Sequence, residues 1–324
     1  MNPGAIYQLL SELQDTCIST HDIFRNQIFS DIDYSSVISF VPLWITETGN
    51  SAEDSLSKTT FEKLVQKNNN ILTHKYLYYY DCDMLVSALQ DRFSIIWSLL
   101  EKFHRRMPSE SKYKITDFDH ITISNDTELF AYFNSIFIYL GSTFDIITKI
   151  AYELQNVQSR DYSVYPQMKS KSILFGDKRK IKNIQTKNTL FDYPTIVRKI
   201  ESIRNRIVHD GSFDYSQNLY TGWIEKDDFF ECFILFPDFD LSGNFLSYKN
   251  RCNFHNGSTR INLVLPSILS EILGLIKTTL LEINNTYNIK RYSNVSDIIK
   301  FKTEIQQWTE SYVSILTKSL SEQD

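Results

Sequence analysis

The stretch YPTIVRKIESIRNRIVHDG, residues 193–211, predicts the helix around which the rest of the fold is built. Its apolar residues recur at the spacing of one helix face, at Ile196, Val197, Ile200, Ile203 and Ile207. Pro194 suits the first turn of a helix, and Gly211 suits its end. We therefore expect an amphipathic helix over residues 194–209 that buries its apolar face in a helical bundle.

The same helical spacing of apolar residues marks other parts of the chain. It predicts helices over residues 5–29, 81–106, 127–157, 266–285 and 294–318. Residues 109–126 are predicted to be a polar linker, and residues 158–191 a basic and mobile connection. This pattern indicates a bundle made mainly of helices.

The pattern changes after the helix at 194–209. Residues 219–224 and 229–236 are rich in strand-forming residues, and the polar residues between them suit a hairpin turn. Further on, Ile261, Leu263 and Leu265 alternate with other residues, which predicts a third strand. The predicted fold class is therefore mainly α, a helical bundle with a small antiparallel β insertion after the helix at 194–209.

The chain is long enough for one or two domains. It has 324 residues, of which 42% are hydrophobic, so a substantial core is expected. Residues 71–324 are predicted to form the helical domain, with the β insertion at residues 219–265. Residues 1–70 are predicted to be an N-terminal helical extension.

Composition argues against several classes of protein. No apolar run approaches the roughly 18 residues of a membrane span, and the N-terminus lacks a signal-peptide pattern. The four cysteines include no C-x-x-C pair, which favours free thiols over a disulfide framework. We expect a cytoplasmic protein that has no contact with a membrane.

The charge of the chain is uneven. The net charge is −5, which does not favour nonspecific binding to nucleic acid. Residues 169–187 nevertheless hold seven basic residues and one acid, Asp177. Within this segment the predicted RNA-binding residues are Lys178, Arg179, Lys180 and Lys182. The alternative is that the segment is a solvated loop without a ligand.

Three residues near the end of the central helix suit chemistry on a phosphodiester. Arg204 offers a planar fork of donors for a phosphate, and His209 can exchange a proton near neutral pH. Asn205 supplies a polar amide beside them. Arginine and histidine together can cleave a phosphodiester without a metal. The chain has neither a P-loop nor a G-x-G-x-x-G motif, and its other histidines lack metal-ligand spacing, so we expect no cofactor and no metal.

The series Arg204-Asn205-x-x-x-His209 resembles the R-x(4–6)-H motif of the HEPN superfamily (higher eukaryotes and prokaryotes nucleotide-binding). The resemblance implies a helical bundle, a homodimer and a metal-independent endoribonuclease acting in a toxin–antitoxin or antiviral system. It also implies catalytic roles for Arg204, Asn205 and His209. An antitoxin or an activator protein is a possible partner. Some family toxins carry a tyrosine two residues after the histidine, where a nucleotidyltransferase antitoxin modifies it. Gly211 occupies that position here, so we do not expect that kind of partner.

Helix geometry leaves alternatives open for the motif. Arg204 and His209 are five residues apart, which places them about 140° apart around a regular helix. They share a narrow face only if the helix unwinds near His209 or if two copies form the site together. Asp145 could pair with Arg204 or be a polar core residue. A non-catalytic reading also remains, in which His209 favours the helix C-terminus through the dipole and the chain binds RNA, a nucleotide or a protein.

Overall fold

A computed structural model describes residues 3–30, 34, 38–53, 56–108, 111, 113–256, 259–288 and 298–321. Of the described residues, 66% are in helices and 9% in strands, which confirms a mainly α fold class. The helices are α1 (Pro3–Ile28), α2 (Leu43–Thr46), α3 (Lys58–Lys67), α4 (Ile71–Arg106), α5 (Thr127–Asn156), α6 (Thr195–Asp210), α7 (Ile261–Tyr287) and α8 (Ile298–Ser321). The strands are β1 (His120–Asn125), β2 (Asn218–Ile224) and β3 (Phe229–Phe233).

The sequence located most of the long helices well. Helices α1, α5 and α6 match the predicted segments to within two residues at each end. Helix α4 begins ten residues before the predicted start at residue 81. The reason is that the aromatic run from Tyr76 to Tyr79, which the periodicity did not assign to a helix, is buried on helical turns of α4. Of the last predicted helix, residues 294–297 lie outside the described residues.

The predicted third strand at residues 261–265 is wrong, because these residues form the first turns of α7. Ile261 and Leu265 are both fully buried, as residues four apart on one helix face are. A five-residue alternation contains this same spacing, so it does not separate a strand from a helix. Pro266, the first residue of the helix predicted at 266–285, therefore lies inside α7.

The strand that completes the sheet is β1, which lies in the predicted polar linker. It pairs antiparallel with β2 through Ile121 opposite Gly222 and Ile123 opposite Tyr220. The order in the sheet is β1-β2-β3, so β1 is an edge strand. All six of its side chains are exposed, which explains why its sequence resembles a linker. The sheet is therefore not confined to the predicted insertion at 219–265.

The chain packs into two compact units that alternate along the sequence. Unit 1 comprises Met1–Cys17, Leu89–Ile147 and Ile184–Glu282. Unit 2 comprises Ile18–Ala88, Thr148–Asn183 and Ile283–Asp324. Neither unit coincides with the predicted segments 1–70 and 71–324. The division into an N-terminal extension and a helical domain stays a prediction.

A buried ion pair ties the sheet of unit 1 to the start of α7. Arg260 donates to Glu231 on β3 at 2.7 Å, and both side chains are 2% exposed. The guanidinium of Arg260 also donates to the Tyr113 carbonyl at 2.6 Å. It lies between the rings of Phe118 and Phe233, at 5.4 and 5.0 Å from their centroids. The pair is thus enclosed by hydrogen bonds and aromatic faces, as a buried charge requires.

A second buried carboxylate organises unit 2. Glu153 on α5 is fully buried and accepts hydrogen bonds from Arg160, from Tyr78 at 2.6 Å and from the Ser170 backbone at 2.7 Å. Arg160 and Ser170 belong to the connection that the sequence predicts to be mobile. That prediction is wrong for this part of the connection, because specific hydrogen bonds hold it against α4 and α5. The signal was missed because the residue responsible, Glu153, lies before the connection in the sequence.

Two helical segments do not meet the expectation that no apolar run approaches the length of a membrane span. By length and composition, the helical segment Thr127–Ser159, which contains α5, and helix α7 could each cross a membrane. Core helices of soluble proteins share this composition, and 56% and 50% of the most apolar windows of these two segments are buried inside the fold. The expectation of a cytoplasmic protein without membrane contact stays a prediction.

The buried pair in unit 1 should respond strongly to the loss of one partner. We expect Glu231→Gln to lower the free energy of unfolding by about 3–5 kcal/mol, because it leaves the Arg260 charge buried and uncompensated. Lys277→Ala is the control, since it breaks the half-exposed pair between Lys277 and Glu12, 2.8 Å apart. That change should cost about 0–1 kcal/mol. Urea denaturation measures both values, and similar small losses would contradict the prediction.

Candidate functional site

Helix α6 carries the motif and stays regular to its end. Gly211 follows it with a φ of 86°, in the left-handed region that glycine adopts without strain. The Gly211 N–H donates to the Ile207 carbonyl at 3.0 Å and so caps the last turn. The helix therefore does not unwind near His209. Of the two geometric routes considered from the sequence, this leaves the one in which two copies form the site together.

The two faces of α6 are divided as the sequence predicted. The residues predicted to face inward are all buried, namely Ile196, Val197, Ile200, Ile203 and Ile207. Asn205, Val208 and His209 are exposed on the opposite side, and Arg204 is half-buried at the boundary. The candidate catalytic groups therefore lie on the side of the helix that solvent or a ligand can reach.

Arg204 crosses α5 at a glycine. A Cβ atom built on Gly141 would lie 2.9 Å from Cγ of Arg204 and 3.4 Å from its Cδ. Any other residue at position 141 would displace the arginine stem, because carbon atoms do not approach so closely. Glycine inside a helix costs stability, so its presence indicates a specific packing need. Gly141 thus sets where the Arg204 side chain runs.

The hydrogen bond from Arg204 to Asn205 brings the motif residues together. Nη1 of Arg204 donates to Oδ1 of Asn205 at 3.0 Å. Asn205 and His209 are one turn apart, so they share a helix face. We call Arg204, Asn205 and His209 the motif strip. The long arginine side chain bridges part of the angle of about 140° that separates the ends of the strip on the helix.

The imidazole of His209 is accessible. The side chain is exposed, and among the residues that the structure describes it forms neither a hydrogen bond nor an ion pair. The carbonyl at the end of α6 is capped by the Gly211 backbone instead. This arrangement weakens the reading of His209 as a cap.

The segment after the motif is held by α5. The Phe213 backbone N–H donates to Oδ1 of Asn134 at 3.3 Å, and Nδ2 of Asn134 contacts the Ser212 hydroxyl at the same distance. The Phe213 ring packs against Phe133 at 4.7 Å between centroids. These contacts with α5 fix the C-terminal end of α6, which carries the exposed imidazole of His209.

Arg206 is a motif neighbour whose role the sequence did not indicate. Unlike Arg204 it is buried, and its Nη1 donates to the Cys252 carbonyl at 3.2 Å. Its guanidinium lies 5.1 Å from the centre of the Phe245 ring. Arg206 therefore anchors the loop before α7 to the motif helix. No local pattern distinguishes it from Arg204, because the difference depends on which neighbour covers each face.

Tyr193 lies just before α6. Burial, followed by its hydrogen bond to Glu201, raises the pKa of Tyr193 to about 12. The Arg198 guanidinium lies 5.0 Å from the centre of the tyrosine ring. The hydroxyl therefore stays protonated near neutral pH and is unsuited to act as a general base there.

Asp145 was a possible partner of Arg204. It lies on α5 one turn after Gly141 and is half-buried. Residues four apart share a helix face, so Asp145 is on the side of α5 that Arg204 crosses. The pairing itself stays a prediction.

The predicted RNA-binding residues lie in unit 2, whereas the motif strip lies in unit 1. The Lys178 ammonium is 4.6 Å from the centre of the Phe175 ring, and Lys180 forms an ion pair with Asp177 at 2.9 Å. Arg179, Lys180 and Lys182 are exposed. Their accessibility is compatible with a ligand, and contact with RNA stays a prediction.

Within the described ranges, no group of three or more His, Cys, Asp or Glu side chains is placed to hold a metal ion. The four cysteines all lie in described residues and are free thiols, with Cys17 and Cys82 buried.

Comparison with protein-family models, with curated proteins and with solved structures finds no match to this chain.

Substitution of Gly141 tests the packing of Arg204. Gly274→Ala in α7 is the matched control, because a Cβ there meets nothing within 4 Å. We expect the control to stabilise the protein by about 0.5–1 kcal/mol, the usual gain for alanine over glycine inside a helix. Gly141→Ala should lack this gain, since the new methyl group must displace the arginine stem.

A double variant separates the clash from other effects. In Gly141→Ala combined with Arg204→Ala, the arginine stem is gone and the helical gain should return. Urea denaturation of the single and double variants gives the coupling free energy between the two positions. Additive effects would mean that Gly141 and Arg204 do not constrain each other.

Proposed function

We propose that the protein is a metal-independent endoribonuclease with a HEPN-like site at the motif strip. The observation that carries the proposal is the hydrogen bond at 3.0 Å from Arg204 to Asn205, with an exposed His209 on the next turn. The bond directs the arginine toward Asn205, which shares a helix face with His209, so a phosphate-binding group and a proton-transfer group lie on one accessible side of α6. The resemblance of Arg204-Asn205-x-x-x-His209 to the family motif supports the same assignment.

The proposed reaction is an internal transesterification of RNA. His209 takes the proton of a ribose 2′-hydroxyl, and the 2′-oxygen forms a bond to the adjacent phosphorus. The bond from phosphorus to the 5′-oxygen breaks, and that oxygen receives a proton. The products are a 2′,3′-cyclic phosphate and a 5′-hydroxyl, with no water consumed. DNA is not a substrate because it lacks the attacking hydroxyl.

Arg204 and Asn205 have separate parts in this scheme. Arg204 stabilises the negative charge that builds on the phosphate oxygens in the transition state. Its hydrogen bond to Asn205 uses one of five guanidinium donors, and within the described ranges the other donors form no hydrogen bond, so they can contact a phosphate. Asn205 holds the guanidinium on the His209 side of the helix, and its amide N–H groups can contact a phosphate oxygen.

The second proton transfer is the reason to propose a homodimer. The leaving 5′-oxygen needs a protonated group, and one imidazole cannot donate at the moment it accepts. A twofold pairing of α6 would bring a second His209 into the same groove. Lys178, Arg179, Lys180 and Lys182 are proposed to hold the RNA through its phosphates. A role in toxin–antitoxin or antiphage defence in the cytoplasm rests on the family resemblance alone.

A second candidate is a non-catalytic module that binds RNA, a nucleotide or a protein. The observation that favours it is that Arg204 is half-buried and partly engaged by Asn205, as a structural arginine would be. Under this reading, loss of His209 would leave affinity for RNA unchanged, and neither protein would cleave.

Cleavage of RNA in excess EDTA tests the proposed activity. We expect the wild type to cut and to leave 2′,3′-cyclic phosphate ends. His209→Ala should lose about 10²–10⁴-fold in rate, as loss of general acid–base catalysis does. Arg204→Ala should lose about 10²–10³-fold, as loss of one charge-stabilising donor does.

The controls are a histidine and an arginine elsewhere in unit 1. His120 on β1 and Arg105 on α4 have side chains that are 53% and 73% exposed, so His120→Ala and Arg105→Ala should cleave like the wild type. Equal cleavage by the wild type and all four variants would contradict the assignment of the active site to the motif strip. Absence of cleavage together with His209-independent RNA binding would favour the binding module.

Subunit mixing tests the contribution of a second copy. Wild type is mixed with a fivefold excess of His209→Ala and allowed to exchange subunits. If each site needs His209 from both copies, activity per wild-type chain should fall to about one sixth, the fraction that still pairs with wild type. Unchanged activity per wild-type chain would show that one copy suffices.

A further inference from the structure

A cavity of about 700 Å³ lies in unit 2, within a single turn-rich segment of the chain. All of its lining residues fall between Ser159 and Ser172. The segment belongs to the connection between α5 and α6 and contains a short 3-10 helix at Lys169–Ser172. Irregular segments that enclose a concave surface are frequent places for ligand binding, provided that the surrounding structure holds them in place.

The buried carboxylate of Glu153 holds this segment at two points. One oxygen accepts from Arg160, near the start of the cavity wall, and the other accepts from the Ser170 backbone at 2.7 Å, near its end. A third attachment lies between them, where the Tyr165 hydroxyl donates to Asp81 on α4 at 2.6 Å. The cavity is therefore preformed, and a ligand would not have to order its walls.

The lining is rich in cationic donors. Arg160 lines the cavity although its side chain is only 4% exposed. Its Nε donates to the Tyr78 hydroxyl at 3.1 Å, and its Nη2 donates to Glu153. Among the described residues its remaining nitrogen, Nη1, has no hydrogen bond. Nη1 therefore remains available to donate to a ligand in the cavity.

Two exposed lysines add to this positive charge. Lys169 and Lys171 line the cavity, and neither forms an ion pair within the described part of the chain. The one acid in the lining, Asp161, accepts the Ser163 backbone N–H at 2.9 Å. The charge of Arg160 is offset by Glu153. Lys169 and Lys171 against Asp161 therefore leave an excess of one positive charge, which favours an anionic ligand. The planar fork of arginine and the mobile ammonium of lysine are together typical of phosphate sites.

Beside these cations stands an aromatic surface. Tyr165 is 37% exposed, and its hydroxyl is fixed by Asp81, so its ring is presented in one orientation. Val164 is 59% exposed next to it. A ring held in place near phosphate-binding groups can stack on a nucleobase. We propose that this cavity binds a nucleotide, with its phosphate on Arg160, Lys169 and Lys171 and its base against Tyr165.

The same chemistry occurs in a free nucleoside phosphate and at the 5′-phosphorylated end of an RNA strand. The proposal does not rest on the proposed ribonuclease activity, because it uses none of the residues of the motif strip. It can therefore be tested with probes that the motif strip cannot cleave.

Equilibrium binding to the full-length protein tests the site. The probes are ATP and a short 2′-O-methyl RNA with either a 5′-phosphate or a 5′-hydroxyl. We expect saturable binding that weakens with added salt, as phosphate contacts do. Tighter binding of ATP would identify a free nucleotide as the ligand. Tighter binding of the 5′-phosphorylated RNA than of its 5′-hydroxyl form would identify the RNA end.

Variants connect any binding to the cavity. Lys169→Ala combined with Lys171→Ala should weaken binding at least about 10-fold, because two charged donors to the phosphate are removed. Lys63→Ala, an exposed lysine of α3 in the same unit, is the control and should bind like the wild type. Tyr165→Leu should weaken binding of ATP more than binding of inorganic pyrophosphate, which has no base to stack.

Two results would overturn the proposal. One is the absence of saturable binding for every phosphate probe to a protein whose folding is confirmed by circular dichroism. The other is equal affinity in the wild type and in the double lysine variant, which would place the ligand elsewhere. Loss of RNA cleavage in His209→Ala with nucleotide binding intact would separate this site from the motif strip.

Discussion

A buried arginine that donates to a buried glutamate organises each of the two units. In unit 1, Glu231 and Arg260 join the sheet to the first turn of α7. In unit 2, Glu153 and Arg160 join α5 to the segment that follows it. Taking two charges out of water is so costly that such pairs add little net stability. Their effect is to favour this fold over other arrangements of the chain. An arrangement that separated the partners would leave an unpaired charge in an apolar interior.

The pattern of apolar residues was sufficient for the parts of the fold that bury one face. It located α5 and α6 and the hairpin of β2 and β3, whose inward positions follow the expected periods. It failed at β1, which has no buried face to reveal its period. It also failed at the start of α7, where a few residues fit both periods. The attachment of residues 160–170 depends on Glu153, and local patterns do not report such distant partners.

At the candidate site, too, the sequence predicted features of a single helix but not contacts between residues on different helices. The sequence identified Arg204, Asn205 and His209, and the helix exposes or half-exposes all three. The sequence did not indicate that the Arg204 side chain would bend toward Asn205 and donate to it. Ideal helix geometry gives the direction in which a side chain leaves the helix but not the position of its far end. The signal for Gly141 was present in principle, as a glycine in the middle of an apolar helix. Its partner could be recognised only once α5 and α6 were packed together.

The contact between Gly141 and Arg204 has a consequence for how such chains diverge. The glycine is needed only while a long side chain crosses it, and without that side chain alanine would be the better helix former. A descendant that abandons the arginine therefore gains by replacing the glycine as well. We therefore expect substitutions at positions 141 and 204 to be correlated. A glycine at position 141 would indicate that selection still maintains the arginine at position 204.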